Sequence, residues 1–403
     1  MTGGAPVCAG AASYDERVNR LRNFVVVVAL ALVAAACSSS ADNASTSAQD
    51  ATSTTSEAPE PSTSTEAAPA EQGEEVEPAD ATDQESEAVE QAEPEESTET
   101  EAPAVSEAFG PPDSLQPECT NLPEVSVGLN SGTLASGGQE YTYQWTVPAS
   151  YDGSPLPVVL DFHAIGSNGA QQAVFSGWAA LAATESLLSV QPTGLLDPTG
   201  RPSWELPQFE DPARNDVAFV VDLIDAVSSQ ACVDPARIYS TGMSNGGLFT
   251  STVVCNLSER IAAAVSVAGV THHESCGPTR AVPYLAFHGI DDTVVPFNGG
   301  GESTLAGGGG EFFEQVIPEE FAEFAESFGC TEAVDSEVTA EITLTSYSGC
   351  RDDVPLGFYA IAGAGHTWPG SPISAAIESL GVTNTDISAT EVAWDFFNQH
   401  TLE

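Results

Sequence analysis

The run RIYSTGMSNGGLFTSTVVCN, residues 237–256, predicts a buried strand, a tight turn and a helix in immediate succession. Between strand and helix lies Gly242-Met243-Ser244-Asn245-Gly246, which has the G-x-S-x-G pattern. Glycines around a serine permit the strained turn that lifts its hydroxyl above a sheet. A glycine-rich helix start with a capping serine is the alternative. The strand–turn–helix context favours Ser244 as a nucleophile.

The rest of the chain repeats this alternation of apolar runs and amphipathic stretches. Strands are predicted at 158–162, 237–241, 262–267, 284–287 and 357–361, and helices at 178–187, 216–227, 245–256, 318–328 and 389–399. Such alternation over residues 119–403 predicts one α/β domain with a mostly parallel central sheet and helices on both faces. Glycines at 299–301 and 307–310 predict a flexible loop.

Two later loops carry groups that an activated serine requires. Asp291 and Asp292 follow the strand at 284–287, and either carboxylate can accept an imidazole N–H and stabilise the imidazolium. His366 lies in the glycine-rich loop after the last strand, where it can bend back towards Ser244. The chain order Ser, Asp, His is that of α/β-hydrolases.

The other histidines are predicted to be non-catalytic. His288 closes a strand and precedes the acid, whereas the order of an α/β-hydrolase places the base later in the chain. We therefore expect it to be a structural group. His272, His273 and His400 have no catalytic context and are predicted to be surface groups.

The N-terminal region predicts an export signal followed by a linker. Residues 1–36 contain arginines, a short apolar run and small residues before Cys37, the pattern of a signal peptide with a lipoprotein processing site. Ordinary secretion with an incidental Cys37 is the alternative. Residues 37–118 are rich in Ser, Thr, Ala, Glu and Pro, so we expect a lipidated cysteine and a disordered tether. The protein is thus predicted to be a secreted, cell-surface lipoprotein anchored at Cys37.

Charge and hydropathy exclude two classes of protein. The 403 residues carry a formal net charge of −50 and only 9 Lys and Arg, so a cationic nucleic-acid-binding face is excluded. A mean hydropathy of −0.05 with one apolar run excludes a polytopic membrane protein. The excess of acidic residues is consistent with adaptation to a saline habitat or with a solvated acidic surface that has no further role.

Cysteine usage predicts disulfides rather than a metal site. Without the leader and Cys37, an even number of cysteines remains, as expected of an exported protein. Cys330 ends a helical run and Cys350 precedes the last strand, so we predict that these two pair. Three connectivities are open to Cys119, Cys232, Cys255 and Cys276. No metal or other cofactor is expected.

At these motifs the chain resembles the secreted poly(3-hydroxybutyrate) depolymerase and feruloyl esterase group, which is related to carbohydrate esterase family 1. The similar residues cover about 120–400 and include Trp204 with the segments 215–220, 233–239, 241–247, 365–370 and 389–397. The pairs His288-Gly289 and Val294-Val295, with Asp292 and Pro296, are also similar. The run His366-Thr367-Trp368-Pro369-Gly370 is the most specific of these.

The resemblance implies a role for individual residues. Ser244 would be the nucleophile, His366 the general base and acid, and Asp292 the orienting acid, since the family's acid lies four residues after the His of the His-Gly pair. The oxyanion hole would use N–H groups of Asn245, Ala164 and Ile165, with Ala164 standing where the family usually has Gly. Substrate contacts are expected from Trp368, Trp204 and Met243, with core packing as the alternative for the tryptophans.

Three functions follow as hypotheses. The first is an extracellular serine esterase that hydrolyses carboxylic esters through an acyl-enzyme and resembles polyhydroxyalkanoate depolymerases. The second is a feruloyl or acetyl xylan esterase, and the third is a non-catalytic binding domain on a hydrolase fold. The expected partner is an ester, either a hydroxyalkanoate oligomer or a hydroxycinnamoyl or acetyl polysaccharide. Nucleic acid is excluded, membrane contact is expected only through the lipid anchor, and a monomer is expected.

Overall fold

The computed structural model describes residues 110–207, 214–273, 275–300 and 315–403. The predicted leader, Cys37, the linker up to residue 109 and most of the glycine-rich loop lie outside the described residues. The chain before the predicted domain start at residue 119 already contacts the domain. Arg260 Nε donates to Gly110 O at 2.9 Å, and Leu115 packs against a buried cluster.

Ten strands of the described chain form one sheet in the order β1-β2-β4-β3-β5-β6-β7-β10-β9-β8. In this order, adjacent strands from β4 through β10 are parallel. On one side of them β2 and β1 pair antiparallel, and on the other side β9 and β8 do so. The strands are β1 (Gly128–Ser136), β2 (Gln139–Val147), β3 (Leu156–Phe162), β4 (Leu188–Thr193), β5 (Val233–Met243), β6 (Ala263–Val267), β7 (Tyr284–Gly289), β8 (Glu332–Glu337), β9 (Ile342–Ser348) and β10 (Leu356–Ile361). The predicted mostly parallel α/β fold is confirmed.

Six α-helices of the described chain cover the sheet. They are α1 (Gly169–Phe175), α2 (Trp178–Ala182), α3 (Asp216–Ser228), α4 (Asn245–Asn256), α5 (Ile317–Ser327) and α6 (Ala389–Phe397). Short 3-10 helices lie at Arg351–Asp353, Ser374–Ala376 and Glu378–Leu380. The predicted helix at 178–187 is wrong in its second half, because α2 ends at Ala182 and β4 begins at Leu188.

The central strands are buried on both faces because their side chains alternate between two apolar clusters. In β3, Val158 and Leu160 join a cluster with Phe219 of α3, whereas Val159 joins another with Trp178 of α2. Phe397 of α6 belongs to that second cluster. Helices therefore pack on both faces, as parallel sheets require.

Three disulfides join cysteines of the described chain. They are Cys119–Cys232, Cys255–Cys276 and Cys330–Cys350. The last is the pair predicted from the sequence, and the first ties the start of the domain to the residue before β5. A disulfide stabilises the fold because it closes a loop and so reduces the number of conformations open to the unfolded chain. Within the described residues, no helix has the length and apolar character needed to cross a membrane.

Candidate active site

Ser244 occupies a strained turn between β5 and α4. Its φ of 55° and ψ of −121° are unusual for a residue with a Cβ. The turn is tight because a Cβ at Gly246 would lie 2.1 Å from Phe162 O, and one at Gly242 would lie 2.4 Å from Gly246 O. Only glycine fits at these two positions. The G-x-S-x-G pattern therefore folds as the sharp strand-to-helix turn that its spacing predicts.

Ser244, Asp292 and His366 follow β5, β7 and β10, which run parallel in the sheet with only β6 between β5 and β7. Their loops therefore meet at one edge. The loop after β10 passes so close to β7 that a Cβ at Gly289 would lie 2.3 Å from Ala364 O. Ser244 N–H donates to Val267 O at 2.9 Å, at the end of the intervening strand β6.

Asp292 and His366 form a direct hydrogen bond. His366 Nδ1 donates to Asp292 Oδ2 at 2.7 Å, and both residues are buried, with 3% and 5% of His366 and Asp292 exposed. Asp292 Oδ1 accepts the N–H groups of Val294 at 2.7 Å and Val295 at 2.9 Å. Asp291 is exposed, so this geometry favours Asp292 as the orienting carboxylate.

The surroundings keep Asp292 ionised. Burial alone would raise the pKa of its carboxyl, but the charge of His366 and hydrogen bonds from His288 and His366 outweigh burial and hold that pKa below its usual range. Because His366 Nδ1 is hydrogen-bonded to Asp292, the other ring nitrogen, Nε2, points away from the carboxylate. An imidazole held in this way can accept a proton at Nε2.

His288 is a buried structural group, as predicted, but it also touches the acid. Its Nε2 donates to Val295 O at 2.9 Å and lies 3.4 Å from Asp292 Oδ2. Its Nδ1 is buried and has no hydrogen-bond partner among the described residues. Two imidazoles therefore flank one carboxylate oxygen. The four-residue spacing from His288 to Asp292 was the sequence signal for this contact.

The segment after β3 is held by His163. Its Nδ1 donates to Ala164 O at 2.7 Å, and its Nε2 accepts the N–H of Gly194 at 3.0 Å. Because a backbone N–H can only donate, Nε2 carries no proton and the ring is neutral. Burial agrees with this state, since it lowers the pKa of His163 to about 4. Ala164 and Ile165, the predicted oxyanion residues, are half-buried beside it.

The three residues predicted to contact substrate are buried in apolar clusters. Trp204 is 2% exposed, Trp368 1% and Met243 1%. Trp204 stacks on Phe249 with ring centroids 5.1 Å apart, and Trp368 Nε1 donates to Thr390 Oγ1 at 2.9 Å. Packing is thus their visible role in the structure, and substrate contact by these side chains stays a prediction.

The prediction that His272, His273 and His400 are surface groups is wrong. All three are half-buried, and burial lowers the pKa of each ring. His272 Nδ1 lies 3.2 Å from Glu323 Oε2, and its ring packs edge-on against Phe324. The sequence around these histidines is polar, so only the fold reveals the helix that covers His272. In the described ranges, no group of three or more His, Cys, Asp or Glu is arranged to hold a metal ion.

A buried carboxylate that sequence reasoning missed lies two residues before His163, near the predicted oxyanion residues. Asp161 of β3 is fully buried and accepts hydrogen bonds from Gln172 Nε2 at 2.7 Å, Ser176 Oγ at 2.6 Å and Gln191 Nε2 at 3.3 Å. These uncharged donors fasten α1 and β4 to β3. Burial raises the pKa of Asp161 to about 7, although the three hydrogen bonds oppose the rise.

This buried acid should make stability depend on pH in a specific direction. The unfolded chain releases the Asp161 proton near pH ~3.9, so the folded state holds more protons between that value and about 7. The stabilisation from this group is fully present below pH ~4 and is lost as pH rises through about 7, at up to about 1.4 kcal/mol per pH unit. Denaturant unfolding from pH 4 to 8 should show a flatter profile for Asp161→Asn than for the wild type. Parallel profiles would contradict this assignment.

Comparisons with known proteins agree with the fold and with the motif. A family model described as the prolyl oligopeptidase family matches residues 203–277, which include the serine turn. Feruloyl esterase B of Piromyces equi is 30% identical over 226 residues, 54% of this chain and 41% of that protein. The probable feruloyl esterase C of Aspergillus niger is 26% identical over 266 residues, 62% of this chain and 89% of that protein. The bifunctional acetylxylan esterase/xylanase XynS20E of Neocallimastix patriciarum is 23% identical over 253 residues, 61% of this chain and 31% of that protein.

The matches differ in how much of each relative they cover. The chain spans 41% of the length of the first relative and 31% of the third, but 89% of the second. These relatives are named as esterases, and the resemblance to feruloyl esterases stated from the motifs is confirmed. The chain thus has a mostly parallel α/β fold and is similar in sequence to the group of α/β-hydrolases that contains the feruloyl esterases.

Proposed function

We propose that this protein is a serine esterase that releases feruloyl or acetyl groups from carbohydrate. The observation that carries the proposal is the hydrogen bond between His366 Nδ1 and Asp292 Oδ2, 2.7 Å long, at the sheet edge where the strained turn presents Ser244. A carboxylate-bound imidazole, together with a serine raised on a strained turn at the same end of the sheet, can activate a hydroxyl for acyl transfer. No metal or cofactor is needed for this chemistry.

The mechanism follows from these contacts. His366 Nε2 removes the proton of Ser244, whose oxygen attacks the ester carbonyl, and Asp292 stabilises the imidazolium that forms. The N–H groups of Asn245 and of Ala164 or Ile165 stabilise the negative charge on the carbonyl oxygen. His366 then protonates the leaving alcohol. Water, activated by the same imidazole, attacks the acyl-enzyme and releases the acid.

The relatives favour plant cell-wall esters over polyhydroxyalkanoates. The sequence motifs alone placed hydroxyalkanoate esters first and feruloyl or acetyl esters second. The relatives reported above are named as feruloyl and acetylxylan esterases, which supports the second hypothesis. The catalytic groups are the same in both cases, so the choice concerns only the walls that hold the acyl group and the alcohol.

The non-catalytic hypothesis is less well supported. A binding domain has no use for a buried carboxylate that is hydrogen-bonded to a buried imidazole. An unused pair of this kind would carry a desolvation penalty without a compensating function. The strained φ of 55° at Ser244 argues in the same direction, because strain persists where it serves a site.

We further infer that the enzyme acts outside the cell as a monomer anchored through a lipid on Cys37. The signal-like segment at 1–36 and the disulfides of the folded domain support export, since disulfides persist in oxidising compartments.

Turnover of a substrate panel tests the proposed function. The panel contains methyl ferulate, acetylated xylan and a 3-hydroxybutyrate trimer, each offered to the wild-type chain and to Ser244→Ala as the blank. Faster hydrolysis of ferulate or xylan acetate than of the trimer is expected. Preference for the trimer would reverse the choice of substrate, and equal rates for wild type and blank on every ester would favour the non-catalytic hypothesis.

A further inference from the structure

Trp204 bonds to both segments that supply the oxyanion hole. Its indole Nε1 donates to His163 O at 3.0 Å, directly before Ala164. Its backbone N–H donates to Asn245 Oδ1 at 2.7 Å, and its backbone carbonyl accepts from Asn245 Nδ2 at 3.1 Å. One residue therefore bridges the segment after β3 and the first residue of α4, which are far apart in the sequence.

The bond to His163 O determines where the Ala164 N–H points. His163 O and Ala164 N–H belong to one planar peptide group, and in a trans peptide these two groups point in opposite directions. Holding the carbonyl against the indole therefore directs the N–H away from Trp204. The next peptide is held in the same manner, because His163 Nδ1 donates to Ala164 O at 2.7 Å and thereby orients the Ile165 N–H.

The bridge is itself rigid. The indole stacks on Phe249 and meets Phe162 edge-on, with ring centroids 5.1 Å away in both cases. On either side of Trp204, Ser203 O accepts from Arg214 Nη2 at 2.6 Å and Glu205 N–H donates to Asp216 Oδ2 at 2.7 Å. Arg214 and Asp216 form a buried ion pair. Side-chain packing and backbone bonds thus hold the indole in one orientation.

We propose that Trp204 is a positioning residue for the two arms of the oxyanion hole. One arm is the segment after β3 with the N–H groups of Ala164 and Ile165, and the other is the N–H of Asn245. Trp204 sets the distance between these arms and the direction of their donors. This inference rests on the proposed esterase function and replaces contact with substrate as the role of Trp204. It also explains how alanine, which has less backbone freedom than glycine, can serve at position 164. The indole holds the carbonyl on the opposite side of this peptide and so fixes the direction of the Ala164 N–H. The donor therefore does not require the wider φ and ψ range of glycine at position 164.

Trp204→Phe tests the bridge, because it removes the Nε1–H and keeps an aromatic ring and both backbone bonds to Asn245. Losing one oxyanion donor lowers kcat about 10²–10³-fold, so we expect a misdirected donor to lower kcat by about 10–10²-fold with KM within twofold of the wild type. A boronic acid that mimics the tetrahedral adduct should lose affinity by a similar factor. Binding of free ferulic acid should not change.

Two further variants make the test specific. Val227→Ala removes buried volume from the same apolar cluster without touching either arm, so it should lower Tm and leave kcat and boronate affinity unchanged. Asn245→Leu breaks the other end of the bridge and should lower kcat and boronate affinity as Trp204→Phe does. It also serves as the test if Trp204→Phe does not fold.

The outcomes separate this proposal from the proposed function. Wild-type kcat in both bridge variants would overturn the positioning role and leave the esterase function intact. A rise in KM alone for Trp204→Phe would also overturn it, by assigning the indole to the substrate pocket. A wild-type chain that turns over none of the panel esters would overturn the esterase function and the oxyanion role together.

Discussion

Replacing Ser244 by alanine should reduce kcat on the preferred ester by about 10⁴–10⁶-fold. The reason is that the proposed mechanism passes every acyl group through the Ser244 oxygen, so removing it leaves only the weak effects of substrate binding and the oxyanion donors. Alanine has the same Cβ as serine and occupies the turn with the same strain. Tm should therefore stay within a few degrees of the wild-type value, as measured by thermal unfolding.

A serine in the strand that leads to Ser244 supplies the matched control. Ser240 lies in β5, four residues before Ser244, and is fully buried. Among the described residues its Oγ makes one hydrogen bond, at 3.5 Å to Thr250 Oγ1. Ser240→Ala should keep wild-type kcat. Retention of more than a few per cent of wild-type activity by Ser244→Ala would contradict the assignment of the nucleophile.

Asp292→Asn should reduce kcat by about 10³–10⁴-fold, with a much smaller change in KM. The turn at Val294 and Val295 presents two N–H donors to one side of the Asp292 carboxylate, so an asparagine must place its carbonyl oxygen there. Its NH₂ group then faces His366 Nδ1. This nitrogen must accept the hydrogen bond from the amide, so it cannot carry a proton itself. The proton moves to Nε2, and the ring can no longer receive one from Ser244.

The neighbouring aspartate tests the same point from the other direction. Asp291 is exposed, and its N–H donates to Ala364 O through the backbone, which the change to asparagine preserves. Steady-state kinetics should show Asp291→Asn at nearly wild-type kcat. A larger loss for Asp291→Asn than for Asp292→Asn would assign the orienting role to the other carboxylate.

Most of the buried centre of the fold could be predicted from sequence, with β4 as the exception, whereas its edges could not. Central strands such as β3 and β6 are mainly apolar and are buried at every residue, because both of their faces are covered by helices. The antiparallel strands β1 and β2 were missed because one face of each lies towards solvent and their sequences are largely polar. Strand β8 is exposed at every residue, and its apolar residues do not alternate with polar ones.

Chemistry of the site was predictable where it depends on local turns. The glycines around Ser244 and His366 mark sharp turns, so the sequence identified the loops that meet at the sheet edge. The contacts among Trp204, His163 and Asn245 join residues about 40 positions apart and have no periodic signature. For that reason the indole was predicted to touch substrate, although the structure buries it beneath the peptide of Ala164.

The exposed edge strand β8 has a consequence for how this protein behaves at high concentration. Glu332, Asp335 and Glu337 supply half of its six residues, so two copies approaching edge to edge would bring rows of like charge together. That repulsion opposes intermolecular strand pairing and so protects against fibril-like association. Because added electrolyte shortens the range of such repulsion to a few ångströms, concentrated stocks should be kept in dilute buffer.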